Sequence, residues 1–282
     1  MSIILQEAVD FLNDNLNNVP KIKEIVISGG FSGVLLDNGD MGISMNVRSG
    51  GGSADEQGIK MLDELIGKEG LESVDLLQEE EGYMLASVRV ALLNALSQPF
   101  MGDEYLCSCG YKVDSEVSSG FNHLVGEDET IGIVGFGGLV YKLAQKAKSV
   151  FVTELAPELF ESIVINENGI SKAPTRVKLI PAQDAGDSLS KADAVFVTGC
   201  SLVTHTMEEL LEQCRNARII VYGWSAGFFP EPLFKRGVDM IAANRVTDAD
   251  KMLDILKNYS IMAERFFPKA CKKINIYKNQ TP

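Results

Sequence analysis

The residues best suited to chemistry here are five cysteines, two histidines and several clustered glycines, and their spacing sorts the reactions they could serve. Cys107 and Cys109 form a C-x-C pair with His123 further along, and Cys200 precedes His205 across a short turn. Thiolate and imidazole together suit zinc, copper(I) or a heavier thiophilic ion. The second close pair of a structural zinc site is missing, so Cys107 and Cys109 are secondary metal candidates, with reduced loop cysteines as the alternative. Cys200 and His205 could pair as nucleophile and base, although their spacing hardly specifies it. H-E-x-x-H and the Walker lysine motif do not occur, which removes the minimum parts of zincins and P-loop enzymes.

The stretch "IGIVGFGGLV", residues 131–140, leads a strand pattern into three glycines. In a dinucleotide fold the first glycine makes a tight turn and the second admits a pyrophosphate, roles that Gly135 and Gly137 fit, with Phe136 between them. Val140 stands where a third glycine belongs, so the fingerprint is incomplete, although Gly138 adds freedom. Glu154 ends the next strand 19 residues after Gly135 (154 minus 135), where a carboxylate accepts ribose hydroxyls. The alternative is a tight turn with an ordinary acidic strand end. Two further strand ends carry polar groups. Thr198, Gly199, Cys200 and Ser201 leave one strand, with Thr204, His205 and Thr206 following. Free amides and hydroxyls there suit an anion, and ordinary capping competes with that reading. Thr206 with Glu209 reads as a capping box before the buried face Met207, Leu210, Leu211 and Cys214. At the other strand end, Gly223, the sole tryptophan Trp224 and Ser225 could wall a pocket for a planar ligand or plug the core.

These residues need a scaffold, and the apolar periodicity describes one. Leu5, Ala8, Val9, Leu12 and Leu16 recur at helical spacing. "IKEIVIS", "GVLLDN" and "MGISMNV" follow as strands, the last alternating as if half-buried, with a hairpin at Asn38 and Gly39, both expected at positive φ. Ser53 and Glu56 form a capping box ahead of the helical stripe Ile59, Leu62, Leu65 and Ile66. "MLASVRVALLNALSQPF" is apolar on nearly all sides, which predicts a helix buried between layers and a polar Asn94 in need of partners. From residue 123 strands and helices alternate, with strands in "TIGIVG", "SVFVTE", "VKLIP", "DAVFVTG", "RIIVYG" and "VDMIAA". Short continuous apolar runs of this kind fit a doubly wound, mostly parallel α/β sheet. The expected organisation is an α+β domain over 1–105, a linker over 106–122, a Rossmann-like domain over 123–262 and a mildly basic tail over 263–282.

The chain has 282 residues, 45% of them apolar, which suffices for two cores. A formal net charge of -13 argues against nucleic acid as a partner. Neither a membrane-length apolar run nor a basic flank before "MSIILQEAVDFLNDNL" is present, so neither membrane insertion nor a signal peptide is expected. The odd cysteine count fits a reducing, cytoplasmic compartment.

"VTGCSLVTHTMEELL" followed by "VYGWSAGFFPEPLFKRGVDMIAANRVTDADKML" resembles the carboxyl-terminal region of the DUF364 family of heavy-metal chelation proteins, and "VRVALLNALS" resembles the partner region before it. The resemblance implies an enolase N-terminal-like α+β domain joined to a Rossmann-like domain with partial similarity to methyltransferases, and a cleft between them as the active site. It implies metal chelation, or condensation or hydrolysis on pterin-, flavin- or siderophore-like compounds. By position, Asn94 reaches that cleft from the first domain, while residues 198–206 and 223–225 line it from the second. This sequence has Thr204 in place of the family's asparagine and Trp224 in place of its proline. The expected activity is binding of a small anionic or planar ligand, or a metal chelate, in the cleft. The alternative is a methyl-transfer, condensation or hydrolysis enzyme in which Glu154 holds the ribose of S-adenosylmethionine. The sequence has no clear general base, which weakens the enzyme reading. The cofactor is accordingly a metal ion or a nucleoside-type ligand, and the first domain's large surface suits a homodimer.

Overall fold

The computed structural model describes residues 2–47, 56–78, 82–115, 121–155, 164–166, 169–171 and 177–278. The amino-terminal unit runs α1 (Ile3–Asn15), β1 (Ile22–Ile27), β2 (Phe31–Leu36), β3 (Met41–Met45), α2 (Glu56–Leu65), α3 (Gly70–Gln78) and α4 (Tyr83–Leu96). After α5 (Asp103–Ser108) and β4 (Tyr111–Asp114) come β5 (Thr130–Val134), α6 (Gly138–Ala144), β6 (Ser149–Glu154), the small hairpin β7 (Val164–Asn166) and β8 (Gly169–Ser171), and β9 (Val177–Pro181). The chain continues through α7 (Gly186–Leu189), β10 (Ala194–Thr198), α8 (Cys200–Val203), α9 (Met207–Gln213), β11 (Arg218–Tyr222), α10 (Glu231–Phe234), β12 (Met240–Val246), α11 (Ala249–Tyr259), a 3-10 stretch Ser260–Lys269 and β13 (Cys271–Lys278).

Strands β1, β2 and β3 form an antiparallel meander. At its second turn Gly39 has φ +91°, whereas Asn38 does not adopt positive φ. The Leu36 N–H reaches Asp40 O and the Gly39 N–H reaches Leu36 O, so a three-residue loop with glycine in the left-handed position replaces the expected two-residue turn. The capping residue expected at Ser53 lies outside the described residues. In α2, Leu62 and Leu65 are buried but Ile59 and Ile66 are exposed, because the helix ends at Leu65 and its buried stripe is narrower than the periodicity predicted.

Helix α4 is buried from Leu85 to Leu96, as its all-round apolar pattern requires. One of its faces lies on β2 and β3. A side chain at Gly42 would collide with Ala91 O and Ala95 N, so glycine lets the strand touch the helix backbone. The other face of the meander bears Phe31, Leu35, Met41 and Ile43 and packs on Met252, Ile255, Leu256 and Phe267 from the end of the chain. Strand β3 is therefore covered on both faces, where its alternation had predicted one.

The large sheet has the order β4-β13-β12-β11-β10-β5-β6-β9. Strands β12, β11, β10, β5, β6 and β9 are mutually parallel. Numbered by sequence, these six follow 3-2-1-4-5-6, the doubly wound order with its reversal between β5 and β10. Strands β13 and β4 extend the edge in antiparallel fashion. Residues read from the sequence as linker and tail are therefore sheet. Lys112 and Asp114 of the edge strand β4 and Lys272 and Lys273 of β13 are exposed, giving polar stretches that periodicity alone does not separate from loop. Arg236 joins the two units with a forked pair of 2.9 Å hydrogen bonds to Glu7 of α1.

Candidate functional site

The carboxyl ends of β5, β6, β10 and β11 lie side by side, and the end of β3 reaches them through Cys200 and Ser225. After β5, Gly135 turns with φ +90°, and a Cβ there would lie 3.0 Å from Thr198 Cγ2. Positive φ and this close approach both require glycine. Gly137 and Gly138 meet neither demand: Gly137 is extended, and a Cβ at either would find open space. The backbone at Phe136 is held by Glu154, whose Oε1 accepts the Phe136 N–H at 2.6 Å and whose Oε2 accepts the Leu155 N–H at 3.0 Å. Each oxygen keeps a further lone pair.

Across the reversal, Thr198 Oγ1 accepts the Cys200 N–H at 3.4 Å, and the Gly199 N–H donates to Tyr222 O at 2.7 Å. Gly199 is packed against Ser225 and Ala226. The Cys200 thiol donates to Met45 Sδ at 3.3 Å, so β3 and the large sheet meet through two sulfurs. Next to them Ser44 Oγ and Ser225 Oγ lie 2.9 Å apart, and Ser225 Oγ accepts the Met45 N–H at 3.1 Å. Ser87 of α4 donates to Met45 O or Asn46 Oδ1. Burial pushes the Cys200 thiol pKa up, hydrogen bonds with Thr198 and Ser225 oppose this, and the Glu154 charge adds to it. That direction is opposite to what an activated nucleophile needs. His205 is not among the thiol's partners, so the proposed nucleophile pair is not assembled.

Asn94 does reach the junction, but as a strut. Its Nδ2 donates to Ile43 O at 2.8 Å and to Trp224 O at 3.1 Å, while its buried Oδ1 has no partner among the described residues. The Trp224 indole packs edge-on against Phe31 and Phe267 and donates to Glu264 Oε1 at 3.0 Å, so its partly buried ring is engaged in packing against the cover of the meander. Gly223 has φ +112°, which turns the chain toward that contact. Ser201 is buried in α8. Thr206 makes no side-chain cap; its hydroxyl meets Thr204 Oγ1 at 2.9 Å instead of the backbone, and Leu210 is only half-buried. His205 sits at φ +58°, an uncommon conformation for a residue with a Cβ. Desolvation of its ring, although the residue as a whole is exposed, and the Arg89 charge hold its pKa below the ordinary value.

Cys107 and Cys109 are both exposed, at the end of α5 and just beyond it. Among the described residues no group of three or more His, Cys, Asp and Glu converges, so a chelating set of those types is not preformed there. Cys214 is core, as its helical position predicted, with burial raising its pKa to about 12. Sequence reasoning missed Ser44, Met45, Ser87 and Tyr222. The first three come from distant segments, and only Tyr222, the last residue before Gly223, stood where the strand-end rule could have found it. No described helix is long and apolar enough to cross a membrane.

Comparison with known proteins agrees with this architecture. The DUF364 family, described as "Putative heavy-metal chelation", matches residues 121–276, and DUF4213, with the same description, matches residues 9–97. An uncharacterised protein of Methanocaldococcus jannaschii is 25% identical, covering 96% of this chain and 95% of its own. Two crystal structures of DUF364 proteins of unknown function share the fold. One, from Desulfitobacterium hafniense, has a TM-score of 0.70 at 19% identity, covering 97% of this chain and 98% of its own. The other, from Pyrococcus horikoshii, has a TM-score of 0.67 at 20% identity and covers 98% of both. With more than half its length matched by the family and nearly all of it superposable on two of its members, this chain belongs to the DUF364 family.

Proposed function

We propose that the protein binds a small ligand, a metal chelate or an anionic planar molecule, in the crevice between β3 and the carboxyl ends of the parallel strands. The observation that carries this reading is the reversal between β5 and β10, where the Gly135 turn lies against Thr198 and partly exposed polar groups gather. Ligands of open α/β sheets collect at such a point. The family description favours a chelate, in which the ligand's own donors hold most of the metal. A second reading, a methyl-transfer, condensation or hydrolysis enzyme, is supported by Glu154, whose spare lone pairs face the place of a ribose diol. Gly135 to Gly138 approach the ligand by backbone, and residues 198–201 bound its other side. A cytoplasmic location and a homodimer belong to the same proposal, the first resting on free cysteines throughout and the second on exposed Ile3 and Ile27 of the amino-terminal unit.

Native mass spectrometry of the reduced, untagged chain tests the binding. One small-molecule adduct per chain is expected, and Glu154→Ala should remove it. The reading fails if the mass is clean and neither a ferric hydroxamate nor S-adenosylmethionine protects residues 135–137 and 198–201 from hydrogen exchange.

A further inference from the structure

Two soft sulfur atoms face each other where β3 meets the large sheet, although Met45 also lies against the apolar cluster that covers the meander. Cys200 stands at the start of α8, Met45 at the end of β3, and their sulfurs approach to 3.3 Å across the junction of the two units. Both residues are partly exposed, in contrast to Cys214, which is fully enclosed. Thioether and thiolate are the donors that select monovalent copper and its heavier congeners over harder ions. The hydrogen-bonded frame around Met45, from Ser225 to its N–H and from Ser87 to its carbonyl, fixes the backbone and leaves the flexible thioether free to adjust.

We propose that Met45 Sδ and Cys200 Sγ form a two-sulfur seat for a monovalent thiophilic cation, free or carried in a chelate. This rests on the crevice being the binding site. Binding replaces the Cys200 S–H bond with a sulfur–metal bond, releases that proton to solvent and adds the Met45 lone pair, with no change of oxidation state. The present 3.3 Å separation is an S–H···S contact, so the two sulfurs would have to move apart to hold a cation between them. A methionine side chain supplies that movement by rotation about its own bonds. One of its two donors is a thioether, so the seat does not require three or more His, Cys, Asp and Glu residues to converge, which none do among the described residues.

Silver(I) is the probe, because it shares the donor preference of copper(I) and needs no reductant. It is titrated calorimetrically into the full chain carrying Cys107→Ser and Cys109→Ser, which removes the two exposed thiols. One tight equivalent is expected, with one proton released. Cys200→Ser should abolish it. Loss of an outer-shell partner already costs roughly 10- to 100-fold in metal affinity, so Met45→Leu should weaken binding at least about tenfold. Methyl-labelled methionine spectra give a readout independent of how the variants fold: silver should shift the one methionine signal that Met45→Leu identifies. Equal affinity in Met45→Leu, or an unmoved Met45 methyl, overturns the proposal. If silver is not taken while the unmodified chain still carries an adduct lost in Glu154→Ala, the sulfur seat is wrong and the crevice reading stands. If silver is not taken, no adduct is held and neither a ferric hydroxamate nor S-adenosylmethionine protects residues 135–137 and 198–201, both fall.

Discussion

Gly42→Ala isolates the contact that brings β3 to the crevice. Gly42 does not adopt positive φ, so alanine has no conformational penalty there, and strand preference alone would favour alanine by about 0.5–1 kcal/mol. The added methyl, however, would lie 2.8 Å from Asn94 C and closer still to Ala91 O and Ala95 N, all backbone atoms of a buried helix. No side chain can swing aside, so α4 and β3 must separate by about an ångström, and a gap of that size forfeits a quarter to a half of each dispersion contact along the interface. Overpacking in cores costs about 1–3 kcal/mol, and this site belongs at or above the upper end. Gly33→Ala is the matched control. Its methyl would meet Leu256 Cδ1 at 2.5 Å and Met41 Cε at 2.9 Å, both tips of flexible side chains, so it should cost less than half as much. Urea unfolding read by the single tryptophan measures both, because Trp224 O is bound to Asn94 of α4. A Gly42→Ala variant as stable as the parent, or no less stable than Gly33→Ala, would refute the packing argument.

Two further outcomes follow from hydrogen bonds that span the chain. Asn94→Leu strands the buried Ile43 and Trp224 carbonyls, so it should cost about 1–3 kcal/mol and shift the tryptophan emission, and an unchanged unfolding midpoint would show the strut to be idle. Burial alone would raise the Glu208 pKa, yet hydrogen bonds from Ser2 Oγ, the Ile4 N–H and its own backbone, aided by Arg236, bring it below the ordinary 4.5. A lowered native pKa means stability that is present above the unfolded value and lost as pH falls through the native one. Glu208→Gln should therefore be less stable than the parent near neutrality, and the difference should shrink below pH 4.5; parallel acid-side stability curves would contradict this.

The large sheet was legible because five of its six parallel strands are short, largely buried apolar runs, β9 at the edge being the exception, and the positive φ of the Gly135 turn was legible because it is a local demand. Strands β4 and β13 were not, since "YKVD" and "CKKINIYK" carry exposed polar residues that resemble loop until a partner strand is known. The crevice divides in the same way. Glu154 and Thr198 follow from the rule about strand ends, but Met45 read only as one more apolar residue in an alternating strand. Its meeting with Cys200 depends on how the two units pack, and no local pattern encodes that. Trp224 was open to two readings, pocket wall or core plug, and its packing on Phe31 and Phe267 and its bond to Glu264, all remote in sequence, are contacts that no local pattern supplies.

The cover over the meander also sets an order of events during synthesis. Phe31, Leu35, Met41 and Ile43 are made well before the residues that shield them, Met252, Ile255, Leu256 and Phe267. Strand β4 waits likewise for β13, its partner in the sheet. The amino-terminal unit thus has an apolar surface that it cannot close by itself, and a nascent chain must keep that surface from wrong partners until those covering residues have been made.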